Sequence, residues 1–151
     1  MQTKTPTECF YYLISRATLA TTSALRKALA ETGIDKVKPA YIGALMALWN
    51  EDGLQAAELG RRAGLEPSTT TSLIDRMEKD GLVVRKADPE DRRAQRIHLT
   101  EDGRSAQCPI LSVVDTTLER ITKGLPSDDL TRTKELLRRV LTNVHKEKEG
   151  E

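Results

Sequence analysis

The chain has 151 residues, the length of one domain or of one domain with a helical extension. Charged residues make up 31% of it and hydrophobic residues 38%, a composition typical of soluble globular proteins. The 24 Lys and Arg residues nearly balance the 23 Asp and Glu residues, and a net charge of +1 excludes a polycationic coat. Any surface for nucleic acid must therefore come from a local arrangement of charge.

Several other classes of protein are disfavoured as well. No apolar run reaches membrane-spanning length and the first residues lack a secretory pattern, so we expect a cytoplasmic protein with no membrane partner. Cys9 and Cys108 lie far apart without a metal-type spacing, which disfavours a disulfide framework. His98 and His145 lack a third partner, and no phosphate loop or nucleophile motif is present. We therefore expect no metal, no cofactor and no enzyme activity.

Helical periodicity dominates the first part of the sequence. Apolar residues recur at steps of three and four from about Thr7 to Thr32, which predicts a helix that Gly33 stops. A second helix is predicted from Ala40 to Asn50, after Pro39.

A short helix, a turn and another helix follow. Leu59 and Ala63 mark the short amphipathic helix, and the Gly64 region predicts a tight turn. Pro67 suits the first position of the next helix, because its missing N–H costs nothing there, and Gly81 ends this helix. One face carries Thr70, Leu73, Ile74 and Met77, whereas the rest is largely polar.

A hairpin and two long helices complete the chain. Leu82 to Lys86 and Arg96 to Thr100 predict two antiparallel strands. Thr100 is the expected N-cap of the first long helix, and Ser127 that of the second. The apolar stripes of these helices are Leu111, Val114, Leu118, Ile121 and Leu125 in the first, and Leu130, Leu137, Val140, Leu141 and Val144 in the second.

This order of elements predicts a mainly α protein with a small β-hairpin, built around a winged helix-turn-helix. In such a fold the second helix of the pair enters the DNA major groove, where small hydroxyl side chains allow close approach to bases and phosphates. The candidates for these contacts are Ser68, Thr69, Thr71, Ser72 and Arg76. The alternative is a Ser- and Thr-rich helix start with no partner.

The stretch "DPEDRRAQRIHLTEDG", residues 88–103, holds a dense cluster of charge between the two predicted strands and beyond. A hairpin loop beside a recognition helix lies over the neighbouring minor groove, whose negative potential favours arginine. The arginines are Arg92, Arg93 and Arg96, and we expect Asp88, Glu90 and Asp91 to hold them while DNA is absent. A solvated loop is the alternative.

Residues 55–103 resemble the core of the MarR (multiple antibiotic resistance regulator) family. The resemblance includes the Asp-x-Arg wing motif at Asp91-Arg92-Arg93 and the Leu-Thr-x-x-Gly motif at residues 99–103. It implies that Arg93 enters the minor groove and that Asp91 orients it and buttresses the wing, with Arg92 and Arg96 on phosphates. Many members carry Arg where this sequence has Ser72, so base reading is expected to depend more on Thr69, Thr71 and Arg76.

The resemblance also implies an organisation for the whole chain. It predicts a homodimer whose first and last helices interlock, with residues 38–103 as the DNA-binding core and residues 1–37 and 104–151 as the dimerisation region. The long apolar stripes favour dimerisation independently, although burial inside one monomer is an alternative.

Two regulatory sites follow from the same resemblance. Family members often respond to small phenolic or carboxylate ligands, for which Tyr12, Tyr41, Met46 and Trp49 are the candidate contacts here; ordinary packing is the alternative for each. A peroxide-sensing branch uses a cysteine near the start of the first helix. Cys9 falls one residue off that register, about 100° around the helix, and no neighbouring cation is evident to activate it.

The function predicted from these patterns is a sequence-specific, double-stranded DNA-binding transcription regulator. We expect a ligand-responsive repressor that binds a pseudo-palindromic operator as a homodimer. The alternatives are a winged-helix module that binds a protein, a regulator switched by oxidation of Cys9, and a constitutive DNA-binding protein without a ligand.

Overall fold

The computed structural model of the protein describes residues 5–149. This part of the chain contains seven α-helices and three β-strands. The helices are α1 (Phe10–Glu31), α2 (Ile42–Asn50), α3 (Ala56–Ala63), α4 (Pro67–Lys79), α5 (Glu101–Ser105), α6 (Gln107–Ile121) and α7 (Ser127–Glu149). The strands are β1 (Leu54–Gln55), β2 (Val83–Ala87) and β3 (Gln95–Leu99). The chain divides into two compact units between Thr117 and Leu118, within α6.

The first two helices start later than their sequence patterns predict. Short 3₁₀ helices, each with a proline in its first turn, precede both: Pro6–Glu8 before α1 and Pro39–Tyr41 before α2. Proline fixes φ and is well tolerated where no backbone N–H is needed, so each proline opens a tight turn rather than the α-helix itself. α1 ends close to its predicted end, and Gly33 adopts the left-handed conformation (φ 73°) just beyond it.

The helix-turn-helix pair follows its prediction closely. α3 ends at Gly64, which is left-handed (φ 69°), and α4 begins at Pro67. The four residues predicted to share one face of α4, Thr70, Leu73, Ile74 and Met77, are all buried. Gly60 of α3 sits directly against the Thr70 side chain, so a Cβ at position 60 would collide with it. The absence of that Cβ lets the two helices approach closely.

The sheet has a strand that the sequence did not predict. β1 pairs antiparallel with β3, with Leu54 opposite Ile97, and the strand order is β1-β3-β2. The predicted hairpin forms as β2 and β3, with Val83 opposite Leu99. Two residues are too few for any period-2 pattern, which explains why β1 escaped prediction.

The helix predicted to follow Thr100 is two helices. Thr100 caps the short α5, and its Oγ1 accepts the Gly103 N–H at 3.0 Å. A Cβ at Gly103 would collide with the Leu82 carbonyl oxygen, so only glycine permits this approach. After Ala106 the chain continues as α6, which ends at Ile121.

The core of the first unit lies between the helix-turn-helix, the sheet and the start of α6. Its largest fully buried side chains are Leu29, Tyr41, Leu45, Leu48, Leu59, Ile74, Met77, Leu82, Val83, Ile97 and Ile110. None of the helices described in the structure is long and apolar enough to span a membrane.

The second unit consists of the end of α6, a turn and α7. Leu125 lies in the turn rather than in a helix, and Ser127 is the first residue of α7 rather than its cap. The predicted apolar stripes are largely uncovered, because six of their members in this unit are exposed: Leu118, Ile121, Leu125, Leu137, Leu141 and Val144. Leu130 and Val140, the other two stripe members in this unit, are half-buried.

Candidate nucleic-acid interface

The polar face of α4 is open to solvent. The five predicted major-groove residues, Ser68, Thr69, Thr71, Ser72 and Arg76, are all exposed. Thr71 Oγ1 donates to the Pro67 carbonyl oxygen at 3.1 Å, and Arg76 Nε donates to the Ser72 carbonyl oxygen at 3.2 Å. These local bonds leave most of the polar groups on this face available to a ligand, and DNA contact by them stays a prediction.

Arg85 joins the α4 helix to the wing. This residue of β2 donates from Nη2 to Asp75 Oδ1 at 2.5 Å and from Nη1 to Glu78 Oε2 at 2.6 Å. The other oxygen of Glu78 accepts the Arg85 backbone N–H at 3.2 Å. Two carboxylates one helical turn apart on α4 thus accept from one planar guanidinium of β2. These ion pairs fix the position of the helix against the strand.

Asp88 organises the base of the wing. Its buried carboxylate accepts from Gln55 Nε2 at 2.8 Å and Arg96 Nε at 2.9 Å through Oδ2, and from the Glu90 N–H at 2.9 Å through Oδ1. These bonds, the Gln55 amide foremost, lower the pKa of Asp88 below its ordinary value. Arg96 also donates from Nη1 to the Gly53 carbonyl oxygen at 3.0 Å. The sequence predicts that Arg96 contacts a DNA phosphate. The structure instead pairs Arg96 with Asp88 at the base of the wing, because a buried carboxylate needs a cationic partner.

The tip of the wing is closed by backbone hydrogen bonds. Asp91 Oδ1 accepts the Arg93 N–H at 2.9 Å, and the Asp91 carbonyl oxygen accepts the Ala94 N–H at 3.0 Å. Aspartates often bond the backbone two residues ahead, and here both Asp88 and Asp91 do so. The Arg92 and Arg93 side chains are exposed and make no ion pair within the described part of the chain. The expectation that neighbouring carboxylates hold these two arginines is wrong.

The four candidate ligand contacts differ in burial and in hydrogen bonding. Tyr12 and Met46 are exposed on α1 and α2. Tyr41 is fully buried, and its hydroxyl donates to Asp80 Oδ2 at 2.6 Å. Trp49 is half-buried and donates from Nε1 to the Gly103 carbonyl oxygen at 2.8 Å. Tyr41 and Trp49 thus pack and form hydrogen bonds within the chain, and ligand contact by any of the four residues stays a prediction.

Lys38 completes a cluster around Asp80, the residue that follows α4. Its Nζ lies 2.8 Å from the Asp80 Oδ2 that also accepts from Tyr41. The Lys38 ammonium, followed by the Tyr41 hydroxyl, lowers the pKa of Asp80, whereas burial followed by the Asp80 carboxylate raises the pKa of Tyr41. The cluster ties the start of α2 to the end of α4, and no sequence pattern had indicated it.

Two crevices on the first unit lie near these elements. One of about 590 Å³ is bounded by α1, the segment before α2 and Arg76 of α4. The other, of about 470 Å³, lies between residues 33–37, Leu82 and the start of α6. Neither includes any of the four candidate ligand contacts.

The surroundings of the Cys9 thiol and the grouping of metal-ligating side chains bear on the redox and metal predictions. Cys9 is a half-buried free thiol at the residue before α1, and its side chain does not cap the helix. No cluster of three or more His, Cys, Asp or Glu side chains able to hold a metal ion occurs among the residues that the structure describes.

A helix-turn-helix followed by a two-stranded wing, with an exposed polar face on the second helix, defines a winged helix-turn-helix protein. The fold class predicted from the sequence is confirmed, with three strands in place of two. Residues 40–94 match the family model described as "MarR family". The organic hydroperoxide resistance transcriptional regulator of Bacillus subtilis (strain 168) is 33% identical over 107 residues, 71% of each chain. The chain belongs to the MarR family, whose members are transcriptional regulators and not enzymes.

Solved structures agree with this assignment. A MarR-family transcriptional regulator from Rhodococcus sp. RHA1 is 27% identical, with a TM-score of 0.79 over 92% of this chain and 96% of that one. CouR from Rhodococcus jostii RHA1, bound to p-coumaroyl-CoA, is 25% identical, with a TM-score of 0.77 over the same shares of the chains. A structure of the transcriptional repressor CouR on a 23-mer DNA duplex has a TM-score of 0.80, covering 93% of this chain and 97% of that one. At 24% identity, that last likeness shows the fold alone.

Proposed function

We propose that this MarR-family regulator binds a pseudo-palindromic DNA operator as a homodimer and represses transcription in the cytoplasm until a small organic ligand releases it. Residues 38–103 form the DNA-reading part in this proposal, and residues 1–37 and 104–151 the dimerisation region. The observation that carries the proposal is the state of the wing tip, where Arg92 and Arg93 are exposed and make no ion pair with any residue that the structure describes.

The wing tip is arranged as a DNA-contacting loop requires. Arg92 and Arg93 are exposed and unpaired within the described residues, although the same loop contains three acidic residues. Asp88 is committed to Arg96, and Asp91 to the backbone of Arg93. A minor-groove contact needs guanidinium groups that no neighbouring carboxylate holds, and Arg92 and Arg93 meet that need among the described residues.

The α4 helix supports the same function. Its exposed face carries small hydroxyl side chains near the N-terminus, and its opposite face is buried in the core. Arg85 holds the helix against strand β2, so the helix and the wing can meet adjacent grooves as one rigid surface. In this proposal Thr69, Thr71 and Arg76 approach bases, with Ser68 and Ser72 beside them.

Exposed apolar residues on the terminal helices support the homodimer. On α1 the residues Phe10, Tyr11, Leu13 and Leu19 are at least half exposed. On α7 the same holds for Leu141, and Leu136, Leu137 and Val144 are nearly so. Large exposed apolar patches usually mark interaction surfaces, and a second copy of the chain is the partner we propose.

A DNA titration tests the proposal. Fluorescence anisotropy would be measured with DNA from the intergenic region beside the protein's own gene, and with a scrambled duplex, at several salt concentrations. We expect a preference for the intergenic DNA and a weaker affinity for Arg93→Ala. For wild type, log affinity should fall linearly with log salt, with a slope of about 0.9 for each phosphate that the protein neutralises. Glu90→Ala serves as the matched wing control and should not weaken binding, because it removes a negative charge from the same loop.

Each result bears on a different part of the proposal. Equal affinities for the two duplexes would overturn sequence-specific recognition and favour the protein-binding alternative. Equal affinities of wild type and Arg93→Ala would show that Arg93 makes no contact in the minor groove.

A second candidate is a regulator switched by oxidation of Cys9, favoured by the similarity to a regulator named for organic hydroperoxide resistance. Intact-mass analysis and the DNA titration would be repeated after mild treatment with an organic hydroperoxide. Oxidation of wild type that lowers DNA affinity, absent in Cys9→Ser, would support this candidate. An unmodified Cys9 with unchanged DNA affinity would eliminate it.

A further inference from the structure

A small crevice opens at the junction of the helix-turn-helix pair. It has a volume of about 270 Å³ and lies between the start of α3 and the start of α4. Its lining residues are Ala56, Ala57, Leu65, Pro67, Thr70 and Thr71. Sites that bind whole small molecules span about 300–1,000 Å³, so this crevice suits one small group of a larger partner.

The crevice is open to solvent on the side of the DNA-reading face. Three of its lining residues are exposed and form the rim: Ala57, Pro67 and Thr71. The other three are half-buried or buried and form the floor. Thr71 also belongs to the exposed polar face of α4, so a base that approaches this face meets the crevice.

The lining offers apolar groups rather than hydrogen-bond donors. None of the six lining residues is charged, and only the two threonines among them have a polar side-chain atom. Thr70 Oγ1 donates to the Glu66 carbonyl oxygen at 2.9 Å, and Thr71 Oγ1 donates to the Pro67 carbonyl oxygen at 3.1 Å. Neither hydroxyl has a proton left to donate to a base, which leaves the Cγ2 methyl as the main group that each threonine contributes.

The major groove of DNA presents one group that matches such a lining. The base edges there carry hydrogen-bond donors and acceptors, and thymine adds its apolar C5-methyl group. Guanine and adenine would place polar atoms against the crevice, where they would lose water without gaining a hydrogen bond. Cytosine lacks the methyl group. An apolar crevice beside the DNA-reading face therefore favours thymine.

We propose that this crevice receives the C5-methyl group of one thymine in each half of the operator, and that Thr71 recognises this thymine with its methyl group rather than its hydroxyl. The proposal rests on the proposed function, because it needs α4 in the major groove. It adds Ala57 and Pro67, which no sequence pattern had indicated as DNA contacts, to the residues that determine sequence specificity.

The test compares thymine with uracil, which lacks only the C5-methyl group. The intergenic DNA would be amplified with a mixture of dTTP and dUTP, and the bound and free fractions would be separated and cleaved at uracil. We expect one position in each half-site at which uracil is depleted from the bound DNA. A duplex with uracil at one of these positions should bind wild type about fourfold more weakly, the effect expected for one buried methyl group.

Four variants of the full-length protein locate this effect in the crevice. Thr71→Ser removes the Cγ2 methyl and keeps the hydroxyl, whereas Thr71→Val keeps a methyl there and removes the hydroxyl. Ala57→Leu fills the crevice from α3. Thr133→Ser is the matched control, because Thr133 of α7 is also exposed and donates to the carbonyl oxygen four residues back, that of Asp129, at 2.8 Å.

The quantity to compare is the ratio of the affinities for the thymine and uracil duplexes. We expect a ratio of about four in wild type, Thr133→Ser and Thr71→Val, a smaller ratio in Thr71→Ser, and a ratio of about one in Ala57→Leu. Equal ratios in wild type and Thr71→Ser would overturn the proposal, because the effect would then arise elsewhere. Loss of the ratio in Thr71→Val would also overturn it, because the hydroxyl would then read the base.

Two further outcomes separate this proposal from the proposed function. If wild type prefers intergenic to scrambled DNA but uracil is depleted at no position, the crevice proposal is wrong and the function stands. Two alternating duplexes, one of A·T pairs and one of A·U pairs, extend the comparison to DNA without an operator. If wild type distinguishes these two duplexes but not the intergenic from the scrambled one, the crevice stands and sequence-specific operator binding fails.

Discussion

The Arg96 guanidinium and the Asp88 carboxylate form the ion pair at the base of the wing, with Nε 2.9 Å from Oδ2 and the Asp88 side chain fully buried. Gln55, from the edge of β1, shares the same carboxylate oxygen. Asp88 thus ties the wing to β1, whereas Arg92 and Arg93 at the wing tip make no ion pair with any described residue.

Substitution of Arg96 should lower thermal stability, whereas substitution of Arg93 should lower DNA affinity. Arg96→Ala leaves a buried carboxylate without its cation, so we expect it to lower Tm by about 5 °C. Arg93→Ala removes an exposed side chain that pairs with no carboxylate in residues 5–149, and it should leave Tm unchanged while it weakens DNA binding. Thermal unfolding followed by circular dichroism measures the first effect, and equal Tm values for the two variants would contradict this division of roles.

Acid should weaken the wing through Asp88. The pKa of Asp88 is lowered in the folded protein, so the stability it contributes is fully present above the unfolded-state value near 3.8. That contribution is lost as the pH falls through the lower folded-state pKa. We expect the urea midpoint of wild type to drop below pH 4 more steeply than that of Asp88→Asn, which does not titrate. Parallel pH profiles for the two proteins would refute this assignment.

Two glycines in helices should respond to alanine in opposite ways. A Cβ at Gly103 meets the Leu82 backbone carbonyl, which cannot move aside cheaply, and we expect Gly103→Ala to cost about 1–3 kcal/mol of unfolding free energy. A Cβ at Gly43 lies 3.9 Å from its nearest neighbours, so Gly43→Ala should stabilise α2 by about 0.5–1 kcal/mol. Urea unfolding of both variants is the measurement, and a stabilising Gly103→Ala would show that the two segments are farther apart than described.

Removal of the Tyr41 hydroxyl should weaken the link between α2 and the end of α4. Tyr41→Phe leaves the ring in the core but removes the 2.6 Å hydrogen bond to Asp80, and we expect a loss of about 1 kcal/mol. Tyr11, which is exposed, provides the control in Tyr11→Phe, with no expected change. Both are measured by urea unfolding, and a Tyr41→Phe variant as stable as wild type would show that Lys38 alone satisfies Asp80.

A charge on the exposed face of α7 should disrupt self-association. Leu141 is 60% exposed within one chain, and Leu141→Glu would place a carboxylate in the proposed dimer interface. We expect its molar mass by light scattering to fall from that of a dimer to about half at micromolar concentration. Thr142→Glu, one residue along the same helix, tests whether any added charge has this effect. A monomeric wild type would contradict the proposed homodimer directly.

The sequence by itself determined the elements and the faces of the helix-turn-helix. The apolar spacing in residues 67–79 predicted which side chains of α4 are buried, because a helix places residues three and four apart on one face whatever surrounds it. The wing was located in the same way, from two short strand patterns flanking a charged loop. Both results depend on local geometry, which neighbouring residues are enough to specify.

Only the tertiary structure decided how the charged and aromatic side chains are used. The loop sequence does not reveal that Asp88 pairs with Arg96 rather than with the wing tip, because this choice depends on Gln55 and Gly53, more than 30 residues away. The sequence likewise does not reveal that the Tyr41 hydroxyl donates to Asp80, 39 residues further along. The crevice bounded by α1, the segment before α2 and Arg76 likewise exists only where these elements meet. Contacts between distant segments are set by the packing of the whole core, and no local pattern records them.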